Sequence, residues 1–185
     1  MKRGRSVTYG SNITYFLTTT VTGFAKLFHL PKLAEILVQN INFYRQKFQV
    51  KIHGYIIMSN HIQLLVTMGE KGNISRFMGQ LKKYSAKQIL AWCEQHEKQD
   101  LLKIFSKSAQ KYKPTHRYQV WQERFDDVVI YSEEIFDIKL NYIHQNPLQE
   151  HWQLAGNPEE YALSSASHYI LGMENIIPIT LADQE

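Results

Sequence analysis

The chain has 185 residues, of which 44% are hydrophobic and 21% charged, a composition that allows a buried core and excludes a wholly disordered protein. A single cysteine, Cys93, excludes an internal disulfide, and no apolar run approaches the roughly 20 residues that cross a bilayer. The net charge of +4 is unevenly distributed, because residues 1–124 hold 20 basic and 6 acidic side chains, whereas residues 125–185 hold 1 basic and 11 acidic.

The basic first part of the chain favours a polyanionic partner. A signal peptide has an apolar stretch after its basic start, whereas residues 6–12 are polar. We therefore expect a cytoplasmic protein with no membrane partner. No repeat, low-complexity tract or long linker divides the chain, which predicts a single domain over residues 1–185, with a core at about 10–150 and a tail at about 151–185.

The first part of the chain is predicted to form a strand, a helix and a β-hairpin. Residues 13–21 are mostly β-branched and aromatic, as is typical of a strand. Pro31 favours the first turn of a helix, and the apolar residues after it recur at helical spacing. Residues 51–66 contain two apolar runs with Ser59-Asn60 between them, a turn signal that predicts a hairpin.

A second helix is predicted to open at Gly72-Asn73, with an apolar stripe and a basic side. The stripe comprises Ile74, Phe77, Met78, Leu81 and Ile89, and the basic side comprises Arg76, Lys82, Lys83 and Lys87. The basic side is compatible with a solvated helix face and, equally, with a surface for phosphate groups.

Residues 103–124 show no regular period and are predicted to form a basic loop. Basic residues, among them Lys111, Lys113 and Arg117, are interleaved there with Phe105, Tyr112, Tyr118 and Trp121. These aromatic side chains suit stacking on unpaired bases, although ordinary core packing is expected for about half of them.

A third helix and a tail follow the basic loop. Ser132 is a favourable N-cap with acidic residues after it, and Asn146-Pro147 is expected to end the helix. The tail has a turn at residues 156–158 and a short helix predicted near 159–169. The order of elements predicts an α+β fold with a mainly antiparallel sheet and helices on one face.

His61 and Gln63 are the residues of the hairpin that suit metal binding. Side chains alternate along a strand, so these two share one face, while Ile62, Leu64 and Val66 share the other and can enter the core. An imidazole nitrogen and an amide oxygen can both bind a divalent cation. The spacing is equally that of two polar side chains on a half-exposed strand, which is the simpler alternative.

The third helix brings a second pair, Tyr142 and Asn146, onto one face, because they are four residues apart. A tyrosine hydroxyl is a poor nucleophile near neutral pH, but it becomes useful beside a metal that polarises a phosphate. An amide one turn away can complete such a metal site. The alternative is that Tyr142, one of 11 tyrosines, is a packing residue. His144 is expected to point away from the site, since adjacent helical residues diverge.

Four segments carry these features in a fixed order. They are residues 58–66 (MSNHIQLLV), 81–85 (LKKYS), 120–130 (VWQERFDDVVI) and 142–147 (YIHQNP), with a further motif at 158–169. Together they resemble the single-tyrosine HUH transposases, the IS200-like family, and most closely its branch of REP-associated tyrosine transposases. Each segment is weakly specific alone, but the ordered set covers most of the chain.

This resemblance implies a ferredoxin-like α+β palm with a central antiparallel sheet, helices mainly on one face and a C-terminal tyrosine helix. It implies that His61, Gln63 and Asn146 bind Mg²⁺ or Mn²⁺. Tyr142 would then attack a single-stranded DNA phosphate, leaving a 5′-phosphotyrosine and a free 3′-hydroxyl. The implied substrate is hairpin-bearing single-stranded DNA at the bacterial nucleoid, contacted by Arg76, Lys82, Lys83, Lys87, Lys111, Lys113, Arg117 and Trp121.

Gln63 departs from the family pattern, which has a second histidine at this position. An amide oxygen is a weaker donor than imidazole for a borderline metal but suits Mg²⁺, so we expect a weakened or Mg²⁺-favouring site. The alternative function is a DNA-hairpin binding protein whose cleavage is weakened or lost through Gln63. The resemblance leaves a monomer and a homodimer both open.

The acidic segment after residue 124 contains both Tyr142 and Asn146. We therefore expect attraction between the two oppositely charged parts of the chain to help dock the tyrosine helix.

Overall fold

The computed structural model describes residues 12–69, 72–112 and 114–182. Its strands are β1 (Thr14–Thr20), β2 (Val50–Met58), β3 (His61–Met68) and β4 (Asp126–Ile130). Its helices are α1 (Pro31–Lys47), α2 (Ile74–Gln95), α3 (Gln99–Tyr112), α4 (Glu133–Gln145) and α5 (Ala166–Leu171), with short 3-10 turns at Thr22–Phe24, Asn146–Leu148 and Pro158–Glu160. Within the described ranges, no helix is long and apolar enough to cross a membrane.

The four strands form one antiparallel sheet in the order β2-β3-β1-β4. The predicted hairpin is confirmed, with Met58 opposite His61 across the Ser59-Asn60 turn. β1 lies beside β3, so that Gln63 pairs with Thr18. The α+β fold with a central antiparallel sheet is therefore confirmed.

The edge strand β4 was not predicted from the sequence. Its first residues, Asp126 and Asp127, have low strand propensity, and only Val128 to Ile130 carry a strand signal. β4 forms because its backbone pairs with β1, from Asp126 opposite Thr18 to Ile130 opposite Thr14.

The two faces of the sheet bury different clusters. Ile62, Leu64 and Val66 enter the larger core, which α1 and α2 also line. The opposite face buries Phe16 and Leu65 beneath α4. Most of the helical mass therefore lies on one face, as predicted, and the tyrosine helix covers the other.

Apolar contacts hold α4 on its face of the sheet. Ile143 is fully buried there, and Phe136 and Leu140 pack around it against the strands. Gly54 allows this close approach, since a Cβ at that position would lie 2.6 Å from Leu140 Cδ1. Hydrophobic burial thus docks the helix, and a contribution from attraction between the charged parts of the chain stays a prediction.

The prediction of an irregular loop over residues 103–124 was wrong for residues 103–112, which belong to α3. Leu102, Phe105 and Ala109 are buried at spacings of three and four residues, as an amphipathic helix requires. Basic side chains on the exposed side of α3 obscured this period. Residues 114–125 are irregular, as predicted.

The predicted ends of α4 agree with the structure. Ser132 Oγ accepts a hydrogen bond from the Ile135 amide at 3.3 Å, and the helix gives way to a 3-10 turn at Asn146. In the tail, Asn157 caps the short 3-10 turn that follows it. The tail helix is α5, which begins later than predicted.

Candidate functional site

The polar hairpin residues His61 and Gln63 lie on β3, on the face of the sheet that α4 covers. His61 begins β3 and lies opposite Thr20 of β1, and Gln63 lies opposite Thr18. Gln63 is only 4% exposed, whereas His61 is half-buried. The alternation predicted from the sequence is confirmed, because Ile62 enters the core on the other face.

The tautomer of the His61 ring is set by its neighbour Asn60. Its Nδ1 lies 2.8 Å from Asn60 Oδ1, and an amide oxygen can only accept a hydrogen bond, so Nδ1 carries the proton. The Asn60 amide nitrogen donates to the Phe24 carbonyl at 3.4 Å, which fixes the orientation of that amide. His61 Nε2 is therefore left with its lone pair available to a metal ion.

Burial keeps the His61 imidazole neutral. Desolvation, with a smaller contribution from the charge of His151, lowers the pKa of His61 to about 4. The ring also lies 5.9 Å from that of Trp152. A neutral imidazole is the form that binds metals, and His61 retains it well below the pH at which an ordinary histidine is protonated.

Gln63 and Asn146 contact each other directly. Asn146 Nδ2 donates to Gln63 Oε1 at 3.1 Å, and both residues are buried. The described part of the chain contains no group of three or more His, Cys, Asp or Glu placed to hold a metal, so the donor set here is one imidazole and two amides. These neutral donors fit Mg²⁺ or Mn²⁺, which fill their remaining positions with water and phosphate oxygens.

Tyr142 lies one helical turn before Asn146 on α4. Its ring contacts Phe16 edge-on, with centroids 6.1 Å apart, and Lys139 Nζ lies 5.9 Å from its centre. Phe16 precedes Thr18, the partner of Gln63, by two residues, so it projects from the same sheet face. Tyr142 therefore lies over the same face of the sheet as Gln63, and at 43% exposure its side chain remains accessible to solvent.

His144 points away from this site, as expected. Its Nε2 lies 2.9 Å from Ser165 Oγ, and its ring lies 5.3 Å from that of Tyr169. Burial lowers the pKa of His144 to about 4. Its contacts with the tail give it a packing role on the far side of α4.

Of the residues predicted to contact DNA, some are exposed and others make contacts inside the protein. Arg76, Lys83, Lys87, Lys111 and Arg117 are exposed. Lys111 and Arg117 lie 5.0 Å from the rings of Tyr112 and Tyr118, respectively. Lys113 lies outside the described residues.

Lys82 has a structural contact within the chain. Its Nζ donates to the carbonyls of Gln122 and Glu123, at 2.7 and 3.0 Å. It also lies 6.0 Å from the centre of the Phe125 ring. Lys82 therefore ties the irregular segment before β4 to α2.

The prediction that Trp121 contacts DNA is contradicted by its burial. Only 4% of the residue is exposed, its ring lies 5.8 Å from that of Phe28, and its Nε1 donates to Ser85 Oγ at 3.0 Å. Phe105 is also fully buried, whereas Tyr112 is 56% exposed. The expected division of these aromatic residues between core and surface is therefore found, with Trp121 on the core side.

Replacing Trp121 with alanine is expected to lower the free energy of unfolding by about 3–5 kcal/mol, because it leaves a large cavity. It also removes the donor to the buried Ser85 hydroxyl, which keeps its own hydrogen bond to the Leu81 carbonyl. Urea denaturation measures the change. The matched control is Trp92→Ala on the half-exposed side of α2, for which we expect a loss of about 1 kcal/mol. Equal losses for the two variants would contradict the core role of Trp121.

Two residues beside the site were not predicted from the sequence. Asn60 was read only as a turn residue, although its position next to His61 also suits an imidazole partner. Phe24 was not considered, although the preceding Gly23 is a signal for a turn with positive φ, which the structure contains at 61°.

A comparison with family models identifies one family, and a comparison with solved structures finds chains of similar fold. The model of the family "Transposase IS200 like" matches residues 11–108. A solved REP-associated tyrosine transposase bound to a REP hairpin shares 17% identity with a TM-score of 0.66, covering 100% of this chain and 95% of its own. A proposed transposase from Deinococcus radiodurans R1 shares 18% identity with a TM-score of 0.46, covering 77% and 95%. Among curated protein sequences, none matches.

Proposed function

We propose, from the premise that this chain belongs to the IS200-like transposase family, that it is a metal-dependent endonuclease and strand transferase for single-stranded DNA. The observation that carries the proposal is the meeting of β3 and α4. The Asn146–Gln63 hydrogen bond joins the two predicted metal-binding elements, and Tyr142 lies one turn away on the same helix.

In this proposal the Tyr142 hydroxyl oxygen attacks the phosphorus of the scissile phosphodiester. The Tyr142 hydroxyl gives up its proton to water as the bond from its oxygen to phosphorus forms, and the bond from phosphorus to the 3′ oxygen breaks. The 5′ phosphate stays on Tyr142, and the 3′ oxygen leaves and takes up a proton as a free hydroxyl. Phe16 and Lys139 hold the tyrosine ring against the sheet, which limits the positions that the hydroxyl can adopt.

His61, Gln63 and Asn146 would hold Mg²⁺ or Mn²⁺, which, when bound, polarises the phosphate and stabilises the developing charge. The donors carry no charge, so phosphate oxygens supply much of the attraction for the cation. His61 offers Nε2 because Asn60 holds the proton of the ring on Nδ1. Gln63 and Asn146 must reorient from their mutual hydrogen bond for both amide oxygens to face one ion.

The proposed substrate is single-stranded DNA with a hairpin. The solved relative that is bound to a REP hairpin supports this class of substrate. The exposed basic residues of α2, Arg76, Lys83 and Lys87, provide a surface for the phosphates of a hairpin. We further propose that the protein acts in the cytoplasm, on nucleoid DNA. A monomer would contain every group of the proposed site, because Tyr142 on α4 packs over the same face of the sheet that carries Gln63 in one chain.

The test of this function is the formation of a covalent protein–DNA adduct. Incubation of the full chain with hairpin-bearing single-stranded DNA and Mg²⁺ or Mn²⁺ should give an adduct that resists denaturant. A chelator should prevent its formation, because the phosphate would then lose its cation. No adduct over a wide range of hairpin sequences and both metals would refute the proposal.

The Gln63–Asn146 hydrogen bond also favours a second function, that of a hairpin-binding protein without cleavage. The two amides satisfy each other without a metal, so this arrangement is stable in a protein that binds none. In that case the wild-type chain binds hairpin DNA but forms no adduct.

The substitution Gln63→His separates the two functions. An imidazole binds a borderline metal more strongly, so we expect half-maximal cleavage at a Mn²⁺ concentration lower by about tenfold. Titration of adduct formation with Mn²⁺ measures the shift. Gln39→His, at an exposed position on α1 away from the site, is the control and should leave the Mn²⁺ dependence unchanged. If cleavage appears only in Gln63→His, the hairpin-binding function is correct for the natural chain.

A further inference from the structure

A cleft of about 850 Å³ lies close to the Ser59-Asn60 turn, which immediately precedes His61. One wall is the 3-10 turn Thr22–Phe24, whose last carbonyl accepts the hydrogen bond from Asn60. A second wall is α3, and a third is the segment before β4. The cleft therefore borders the proposed metal site but contains none of its residues.

Phe24 is held on this cleft in an unusual conformation. Its side chain is 66% exposed, and its φ of 53° lies in the left-handed region, which is rare for a bulky residue. Gly23 seats the turn tightly on α3, since a Cβ there would lie 2.9 Å from Ile104 Cγ2. An aromatic ring kept in the solvent by an unfavourable backbone conformation is a feature of functional sites.

The α3 wall of the cleft is basic. Lys107 and Lys111 are four residues apart and line the cleft together with Tyr112, which is 56% exposed. Arg124 adds a third cation, while Glu123 and Asp126 also contribute to the lining before β4. Exposed aromatic rings beside a row of cations match a single strand of nucleic acid, which has stacking bases and a phosphate backbone.

We propose that this cleft binds the unpaired DNA segment next to the scissile phosphate, with one base stacked on Phe24 and phosphates along Lys107 and Lys111. The proposal rests on the proposed function, because it takes His61 as part of the reaction centre. It also gives Asn60 a connecting role, since this side chain contacts both the Phe24 carbonyl and the His61 imidazole. A base stacked on Phe24 would thus be linked to the His61 ring through two hydrogen bonds, both made by Asn60.

The first test is a fluorescence titration of Phe24→Trp. The variant also carries Tyr142→Phe and is kept in chelator, so that only binding is measured. The probe is a DNA hairpin with an unpaired oligothymidine extension, and stacking should quench the new tryptophan beyond the baseline from the three native ones. Phe43→Trp is the matched control, because Phe43 is 58% exposed on α1, near Lys47 and outside the cleft.

The second test compares affinities by fluorescence anisotropy. Phe24→Ala should weaken binding of the extended hairpin by about 5- to 150-fold, the effect of losing one base stacked on an aromatic ring. Binding of a blunt hairpin without the extension should be unchanged. Phe43→Ala should change neither affinity.

Three outcomes would overturn the proposal: unchanged affinity of Phe24→Ala for the extended hairpin, an equal loss for both hairpins, or equal quenching at positions 24 and 43. Phe24→Trp retains an aromatic ring, so a folding defect in Phe24→Ala would leave the quenching result decisive. No assay here depends on cleavage. The absence of a covalent adduct with the wild-type chain would therefore refute the proposed function and leave this result intact.

Discussion

Replacing Tyr142 with phenylalanine is expected to abolish the covalent protein–DNA adduct and to lower strand cleavage by at least about 10³-fold. The substitution removes the attacking oxygen and little else. A phenylalanine ring keeps the edge contact with Phe16 and the approach of Lys139, so α4 should stay in place. Denaturing gel electrophoresis with labelled hairpin DNA measures the adduct.

Tyr131→Phe is the control for this substitution. Tyr131 lies just before α4 and is 81% exposed, so it offers the same hydroxyl in an even more accessible position. It should form the adduct at the wild-type rate. An adduct that persists in Tyr142→Phe would assign the nucleophile to another residue and would contradict the proposed mechanism.

Replacing His61 with alanine is expected to lower metal-dependent cleavage by more than about 10²-fold, since loss of an outer-shell partner alone costs roughly 10- to 100-fold. His61 is the one imidazole in the proposed donor set, and Gln63 and Asn146 would be left as two neutral amides. Hairpin binding in the presence of a chelator should change little, because His61 is not on the basic surface. Single-turnover cleavage against Mg²⁺ and Mn²⁺ concentration, alongside anisotropy in chelator, separates the two effects.

His96→Ala is the matched control for the His61 substitution. His96 caps α2, and its Nδ1 lies 2.9 Å from the Trp92 carbonyl in an exposed position. This variant should retain both cleavage and binding. Equal losses of cleavage and of chelator-insensitive DNA binding in His61→Ala would show that His61 supports the fold or the DNA surface instead of a metal.

Much of the fold could be predicted because the signals are local. Pro31, the Ser59-Asn60 turn and Ser132 mark element boundaries within a few residues of themselves, and each boundary is found in the structure. α3 was missed because its basic residues obscured a short apolar period. β4 was missed because its pairing with β1 outweighs the low propensity of its first residues.

The burial of Trp121 could not be read from its neighbours in the sequence. Lysines and arginines surround it along the chain, which favoured a nucleic-acid surface. In the fold, Phe28 of the segment before α1 and Ser85 of α2 enclose the ring. These partners are distant in sequence, so the burial of Trp121 depends on the tertiary contacts that bring Phe28 and Ser85 to it.

Two pairings of site residues follow from the sequence alone. Strand alternation puts His61 with Gln63, and helical spacing puts Tyr142 with Asn146, because both periods belong to the local backbone geometry. Only the tertiary structure decided that the two pairs meet. Apolar burial of α4 brings the Asn146 amide within 3.1 Å of Gln63 Oε1. The free lone pair on His61 Nε2 likewise depends on the hydrogen bond from the ring to Asn60. The Asn60 amide is oriented by the Phe24 carbonyl, and no local sequence pattern encodes that contact.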